Sequence, residues 1–244
     1  MKVVLFDLDG TLLPMDQDEF VKAYFGALAK TLAPRGYEPK KLVEAIWVGT
    51  MAMIKNKGEK SNENVFWDTF AGIYGESVRN DIPYFDAFYR DVFDCVQASC
   101  GFNAKAAETI RKIKGLGLRT ALATNPIFPS IATEKRMAWA GLDPKDFASY
   151  TTYENCRYCK PNPAYYMDIL EKLGVEGKDC LMVGNDVTED MITETLGMKV
   201  FLLTDCLINK ENKDINAYPH GSFDELWAYC ETLIKEKEHE NENA

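Results

Sequence analysis

The sequence of 244 residues predicts an α/β fold, a doubly wound core of sheet and helices with an inserted helical domain. Two observations favour this class. Apolar runs with the length of buried strands, such as 3–6 and 118–123, alternate with helical patterns from residue 103 onward. Residues 15–100 lack strand patterns and carry apolar residues at helical spacing. We therefore assign residues 1–14 and 101–244 to the core and 15–100 to the inserted domain.

The first predicted strand, Val3-Val4-Leu5-Phe6, ends in Asp7-Leu8-Asp9-Gly10-Thr11. Residues i and i+2 of a strand face the same way, so Asp7 and Asp9 share one small site unless the turn at Gly10 moves the second aside. Crowded carboxylates favour a divalent cation, beside which one aspartate can attack phosphorus while another, with a raised pKa, transfers protons. An Asp-Gly turn that only ends the strand is the structural alternative.

Four helices are predicted in the inserted domain, and together they indicate a small bundle. The first is capped by Asp16 and stops at Pro34-Arg35-Gly36, and the second runs from Lys40 to Lys55 after Pro39. Asn62 caps the third, and Pro83 opens the fourth, which runs through Phe88, Val92 and Val96. The aromatic residues of these helices are expected to form the bundle's core, with one or two at its edge available to a substrate.

The remaining core elements alternate between helix and strand. They are predicted at 105–114 (helix), 118–123 (strand), 130–139 (helix), a helix capped by Asn162 and opened by Pro163, 180–183 (strand), 199–203 (strand) and a final helix capped by Ser222. The last ten residues, 235–244, are expected to form a charged, frayed tail.

Polar residues follow several of these elements. Thr124-Asn125 ends the second strand, Lys160 precedes the helix at Pro163, and Gly184-Asn185-Asp186 begins an acidic segment after the strand at 180–183. Ligands of open α/β sheets bind beyond the carboxyl ends of the strands. We therefore expect these residues and the two N-terminal aspartates to form one site.

These four motifs, in this order and over nearly the whole chain, resemble those of phosphatases of the haloacid dehalogenase superfamily. The resemblance implies a parallel, Rossmann-like sheet and an all-helical cap. It also implies that Asp7 forms an aspartyl-phosphate, and that Asp9 protonates the leaving oxygen and later deprotonates water. Thr124, the Asn125 backbone and Lys160 are then expected to bind the remaining phosphoryl oxygens.

The resemblance implies Mg²⁺ as the cofactor. Its ligands would be an Asp7 carboxylate oxygen, the Asp9 backbone carbonyl and Asp186, with waters and a phosphate oxygen completing an octahedron. The family often has Gly-Asp where this chain has Gly184-Asn185-Asp186. We favour Asp186, because a carboxylate neutralises the cation, and keep Asn185 as the alternative ligand.

Asp190 is expected just outside the site, where it orients Lys160 or a metal-bound water. Structural alternatives exist for each polar residue. Asp190 could be a first-turn acid of a helix, Lys160 could form a surface salt bridge, and Thr124 could cap a turn.

The formal net charge of −10 and the pI near 4.9 argue against nucleic acid or an anionic membrane as the main partner. Seven cysteines, no secretory leader and no long apolar run indicate the cytoplasm and free thiols. Cys156 and Cys159 have the spacing of zinc and redox pairs, but no second pair accompanies them. We expect two loop cysteines beside Lys160.

The sequence thus predicts a Mg²⁺-dependent phosphatase that hydrolyses a small phosphorylated metabolite. A haloacid dehalogenase of this fold would not have an acid at the Asp9 position. A phosphomutase would use the same four motifs and is the enzymatic alternative. A catalytically silent regulatory module is the non-enzymatic one.

Overall fold

A computed structural model of the protein describes residues 1–242. It contains the parallel sheet that the resemblance implied, and the predicted α/β class is confirmed. The strands are β1 (Val3–Phe6), β2 (Arg119–Leu122), β3 (Cys180–Gly184), β4 (Lys199–Leu203) and β5 (His220–Gly221). All neighbours pair in parallel, and the order across the sheet is β2-β1-β3-β4-β5. The carboxyl ends of β1, β2 and β3 therefore meet at one edge.

Helices cover both faces of the sheet. Those described are α1 (Gln17–Leu32), α2 (Pro39–Ile54), α3 (Asn62–Tyr74), α4 (Ile82–Asp91), α5 (Ala104–Gly115), α6 (Ser130–Trp139), α7 (Pro163–Leu173) and α8 (Phe223–Glu242). Side chains alternate across β1, so Val4 and Phe6 pack in the cluster that contains α5 and α8, while Val3 and Leu5 pack with α7. Both faces of β1 are therefore buried, which explains its continuous apolar run.

Helices α1 to α4 lie between β1 and α5 in the chain, and we call residues 15–100 the cap. Its two connections to the core run side by side, since Met15 and Cys100 form an antiparallel bridge. The Gly101 N–H donates to the Pro14 carbonyl at 2.7 Å. Both covalent connections between the cap and the core therefore lie at one place, next to the end of β1.

The predicted N-cap of the third helix is wrong by one residue. Ser61 Oγ accepts the Asn64 N–H at 3.2 Å, whereas Asn62 is the first helical residue and fully buried. Asn62 Nδ2 donates to the Pro126 carbonyl of the core at 3.1 Å. Ser and Asn are comparable caps, so a contact between distant segments decided which of them faces inward.

Near the end of the chain one sequence prediction is wrong and one element was not predicted. The tail was expected to fray from Lys235, but α8 continues through Glu242, as the helix propensity of its many Lys and Glu residues allows. Residues 243 and 244 lie outside the described part. Strand β5 was not predicted, because two residues carry no periodicity. Among residues 1–242, no helix is both long and apolar enough to cross a membrane.

Candidate active site

Asp7 lies directly after β1 at the centre of the sheet edge. Its N–H donates to the Val183 carbonyl at 2.9 Å, so it continues the ladder between β1 and β3. The chain then turns at Gly10, whose φ is +86°. A Cβ there would lie 2.3 Å from Asn185 Nδ2, so both the backbone and the neighbour require glycine.

Lys160 lies between Asp7 and Asp190. Its Nζ is 2.8 Å from Asp7 Oδ1 and 2.6 Å from Asp190 Oδ1, and all three residues are buried. Burial alone would lower the pKa of Lys160, but the carboxylates of Asp190 and Asp7 outweigh it and raise that pKa well above its ordinary value. Lys160 is thus held as a cation beside the Asp7 carboxylate.

Asp190 also fixes the loop after β3. Its Oδ2 accepts the Asp186 N–H at 3.0 Å, so one carboxylate joins that loop to Lys160. A Cβ on Gly184 would lie 2.0 Å from Asp190 Oδ2, which explains the glycine at the end of β3. Asp190 is therefore a buried residue that bonds to Lys160, and it is not a helix-terminal acid that faces solvent.

Thr11 lies between Asp7 and Asn185. Its Oγ1 is 3.0 Å from Asp7 Oδ2 and 3.0 Å from Asn185 Oδ1, so its one proton is shared between two acceptors. Asn185 Nδ2 donates to the Cys206 carbonyl at 2.6 Å. Both ends of the Asn185 amide are therefore engaged with the protein, and this residue joins the loops after β1, β3 and β4.

Asp186 has one bound and one open carboxylate oxygen. Oδ1 accepts the N–H groups of Thr188 and Glu189 at 2.7 and 2.9 Å. Within residues 1–242, no hydrogen bond reaches Asp186 Oδ2 or the Asp9 backbone carbonyl. Two oxygen atoms of the predicted ligand set are thus available at this edge.

Asp9 is paired with Arg136, a residue that the sequence analysis missed. Arg136 comes from α6, is fully buried, and donates from Nη1 to Asp9 Oδ2. Asp9 Oδ1 is buried and has no hydrogen-bond partner among residues 1–242. Burial raises the pKa of Asp9, and the Arg136 guanidinium opposes that rise. The sequence signal was an arginine four residues after Ala132, on the buried face of the predicted helix.

Thr124 and Asn125 follow β2 at the same edge. The Thr124 carbonyl accepts hydrogen bonds from Thr151 Oγ1 and the Tyr165 hydroxyl, both at 2.7 Å, so its backbone is held from two sides. Asn125 Nδ2 donates to the carboxylate of Glu189, 3.2 Å from its nearer oxygen. Asn125 Oδ1 is buried, and no hydrogen-bond partner for it lies in the described part of the chain.

All of the predicted site residues except Lys160 line one cavity between the core and the cap. Its volume is about 370 Å³. From the core it is lined by Asp7, Asp9, Thr124, Asn125, Asn185, Asp186 and Asp190. The structure thus brings together residues from the loops after β1, β2 and β3, with Lys160 beneath them.

Cys156 and Cys159 lie apart from this chemistry. Both are buried, and Asn62 Nδ2 lies 3.3 Å from Cys159 Sγ. Burial raises the pKa of Cys156 to about 11 and also raises that of Cys159. All seven cysteines are free thiols. Among residues 1–242, no three or more His, Cys, Asp or Glu side chains are grouped closely enough to hold a metal ion by themselves, at this edge or elsewhere.

Comparisons with known proteins identify a matching family and proteins of similar fold. The family model for haloacid dehalogenase-like hydrolases matches residues 1–193. The pyrophosphatase PpaX of Bacillus velezensis is 21% identical over 196 residues, 80% of this chain and 80% of that protein. A 2-haloacid dehalogenase from Pseudomonas syringae pv. Tomato has a TM-score of 0.61 at 18% identity, covering 96% of this chain and 99% of its own. A HAD phosphatase from Thermococcus onnurineus has a TM-score of 0.58 at 16% identity, covering 94% of this chain and 98% of its own. At these identities the structures establish the fold alone.

Proposed function

The chain belongs to the haloacid dehalogenase-like hydrolase family, and we propose that it is a Mg²⁺-dependent phosphatase of a small phosphomonoester. One observation carries the choice of phosphoryl chemistry. Asp9 supplies a second carboxyl group two residues after Asp7, held by Arg136 at the cavity wall. A dehalogenase of this fold would have no acid there, whereas a phosphatase needs one to protonate the leaving alcohol.

In the proposed reaction a carboxylate oxygen of Asp7 attacks phosphorus, and the bond from phosphorus to the ester oxygen breaks. Asp9 gives its proton to the departing alkoxide, so that an alcohol leaves. Asp9 then removes a proton from water, which attacks the phosphorus of the aspartyl-phosphate and releases inorganic phosphate. Asp7 is regenerated as a carboxylate.

Lys160, Thr124 and the Asn125 backbone are proposed to bind the phosphoryl oxygens not involved in transfer. Lys160 supports this role because it is buried, cationic and 2.8 Å from Asp7 Oδ1. A charge held in place in a buried site stabilises the negative charge that spreads over those oxygens. Asp190 orients Lys160 and is not proposed to contact the substrate.

The oxygen donors at this edge fit Mg²⁺. Asp7, the Asp9 carbonyl and Asp186 are hard ligands, and the Asp9 carbonyl and Asp186 Oδ2 receive no hydrogen bond from residues 1–242. Asn185 is the weaker candidate, since both ends of its amide are engaged. When bound, Mg²⁺ would neutralise negative charge on the transferring phosphoryl group.

The proposal is tested by phosphate release from a panel of small phosphomonoesters with Mg²⁺ or with EDTA. We expect turnover only with the metal, and none in Asp7→Asn, because an amide is a poor nucleophile. Asp224→Asn, at an exposed aspartate of α8, is the matched control and should retain full activity. Acid quenching during turnover should leave one phosphoryl group on the peptide that contains Asp7. A tenth or more of the wild-type rate in pure Asp7→Asn would contradict the assignment.

A further inference from the structure

One wall of the cavity is built from four aromatic rings, three of them from the cap. Phe128 of the core packs against Tyr24 with ring centroids 5.3 Å apart. Tyr24 packs against Phe25 at 5.0 Å, and Phe25 against Trp47 at 5.5 Å. All four residues line the cavity. We call this row the aromatic wall, and it leads from Phe128, on which Arg136 stacks, to the partly exposed Trp47.

The cap contributes no positive charge to the cavity. Among the described lining residues, Asp86 is the one charged side chain from the cap, and Lys210, on the core side after β4, is the one Lys, Arg or His. The hydroxyls of Tyr24 and Tyr89 are 2.7 Å apart and bond each other. Burial raises the pKa of Tyr24 to about 12, so this pair stays neutral near pH 7.

On the cap side of the cavity, a second anionic group on the substrate would meet apolar rings, neutral polar groups and Asp86 but no cation, since Lys210 belongs to the core side. Burying a carboxylate without a cation or hydrogen-bond donors is unfavourable, whereas burying an apolar group against aromatic rings is favourable. The volume of about 370 Å³ lies near the lower end of the range for small-ligand pockets, roughly 300–1,000 Å³. The cavity therefore favours a compact apolar group beside the phosphate.

We infer that the substrates are phosphomonoesters of apolar or aromatic alcohols that carry no second anionic group, with the alcohol packed on the aromatic wall. This inference rests on the proposed phosphatase function and adds the substrate class. It predicts that phosphoglycolate and pyrophosphate, which carry further negative charge, are poor substrates.

Three benzylic esters of similar size test the inference, namely benzyl, 4-carbamoylbenzyl and 4-carboxybenzyl phosphate. The last two differ only in an amide against a carboxylate, so their comparison isolates the charge. We expect kcat/KM for the carboxylate to be lower than for the amide by about tenfold or more, a factor of ten being about 1.4 kcal/mol. Benzyl phosphate should be hydrolysed at least as well as the amide.

A charge-insertion variant tests the wall directly. Trp47→Arg places a cation on the aromatic wall and should raise the carboxylate-to-amide ratio of kcat/KM about tenfold. Met51→Arg is the matched control, because Met51 lies on the same helix, is similarly exposed (42% against 45% for Trp47) and does not line the cavity. It should leave the ratio unchanged.

The outcomes separate the two proposals. If the folded protein hydrolyses none of the esters with Mg²⁺, the phosphatase proposal and the substrate class both fall. If it hydrolyses 4-carboxybenzyl phosphate or phosphoglycolate with a kcat/KM equal to that for 4-carbamoylbenzyl phosphate, the phosphatase proposal stands and the substrate class is overturned. An equal change of the ratio in Trp47→Arg and Met51→Arg would also overturn the role of the aromatic wall.

Discussion

Arg136 donates from Nη1 to Asp9 Oδ2 across 127 positions of the chain. The guanidinium is held by two further bonds, from Nε to the Ala132 carbonyl and from Nη2 to Thr133 Oγ1, both at 3.3 Å. It also stacks on Phe128, with 4.5 Å to the ring centroid. Arg136 therefore cannot turn freely, and it holds the Asp9 carboxyl in one direction. This makes Arg136 a positioning residue for the proposed acid and base.

Replacing Arg136 should damage both the fold and the reaction. Arg136→Met leaves the largely buried Asp9 carboxylate without its cation, and we expect the free energy of unfolding to fall by about 3 kcal/mol. We also expect kcat to fall more than about tenfold, since the proton donor is no longer oriented. Arg157→Met, which breaks an exposed pair with Asp168, is the control and should lose less than about 1 kcal/mol. Urea unfolding measures the free energy of unfolding of the two variants, and an equal loss of stability in both would contradict a structural role for the pair of Arg136 and Asp9.

Substitutions of Asp186 and Asn185 should show which of the two residues is a ligand of Mg²⁺. Asp186→Asn keeps an oxygen for the Thr188 and Glu189 N–H groups but removes the negative charge, so the Mg²⁺ concentration for half-maximal activity should rise at least about tenfold. Asn185→Ala should lower the melting temperature, because Thr11 and Cys206 each lose a partner, and should change the Mg²⁺ requirement much less. Magnesium titrations of the two variants check this. The reverse order would make Asn185 the ligand.

Two glycines offer a matched pair of alanine substitutions. Gly184→Ala places a Cβ 2.0 Å from Asp190 Oδ2, so Asp190 must move from Lys160, and we expect loss of most activity and of roughly 2 kcal/mol or more of stability. Gly26→Ala lies on the exposed side of α1 with nothing within 4 Å. It should be neutral or stabilise the protein by about 0.5–1 kcal/mol, because alanine is the better helix former. Normal activity in Gly184→Ala would show that Asp190 does not depend on this contact.

The cysteines should differ in reactivity with a thiol reagent such as DTNB. The thiolate is the reacting form, and burial raises the pKa of Cys156 to about 11. At pH 8 its thiolate fraction is therefore on the order of one in a thousand, and burial also blocks access. Cys95 is exposed and should react first in the native protein. Cys95→Ser should remove the fast phase. Rapid modification of Cys156 or Cys159 would instead support the redox interpretation of their spacing.

The sequence by itself determined the features that local chemistry controls. An uninterrupted apolar run specified β1, a proline preceded by a capping residue started α7, and Asp16 capped α1 as its spacing predicted. The positions of Asp7 and Lys160 next to such elements followed from the same signals. These predictions succeed because a strand end or a helix start is decided by a few neighbouring residues.

The tertiary structure decided which distant residues meet. That Asp7, Thr124 and Asp186 lie at one edge was expected from the sequence, since ligands of such sheets bind beyond the carboxyl ends of the strands, but only the packing of α6 places Arg136 on Asp9. Burial of Asn62 against the core left Ser61 as the cap of α3. The aromatic wall likewise joins residues of α1, α2 and the loop after β2. The side-chain pattern within one segment records which face is apolar, but it does not record the partner that the face meets.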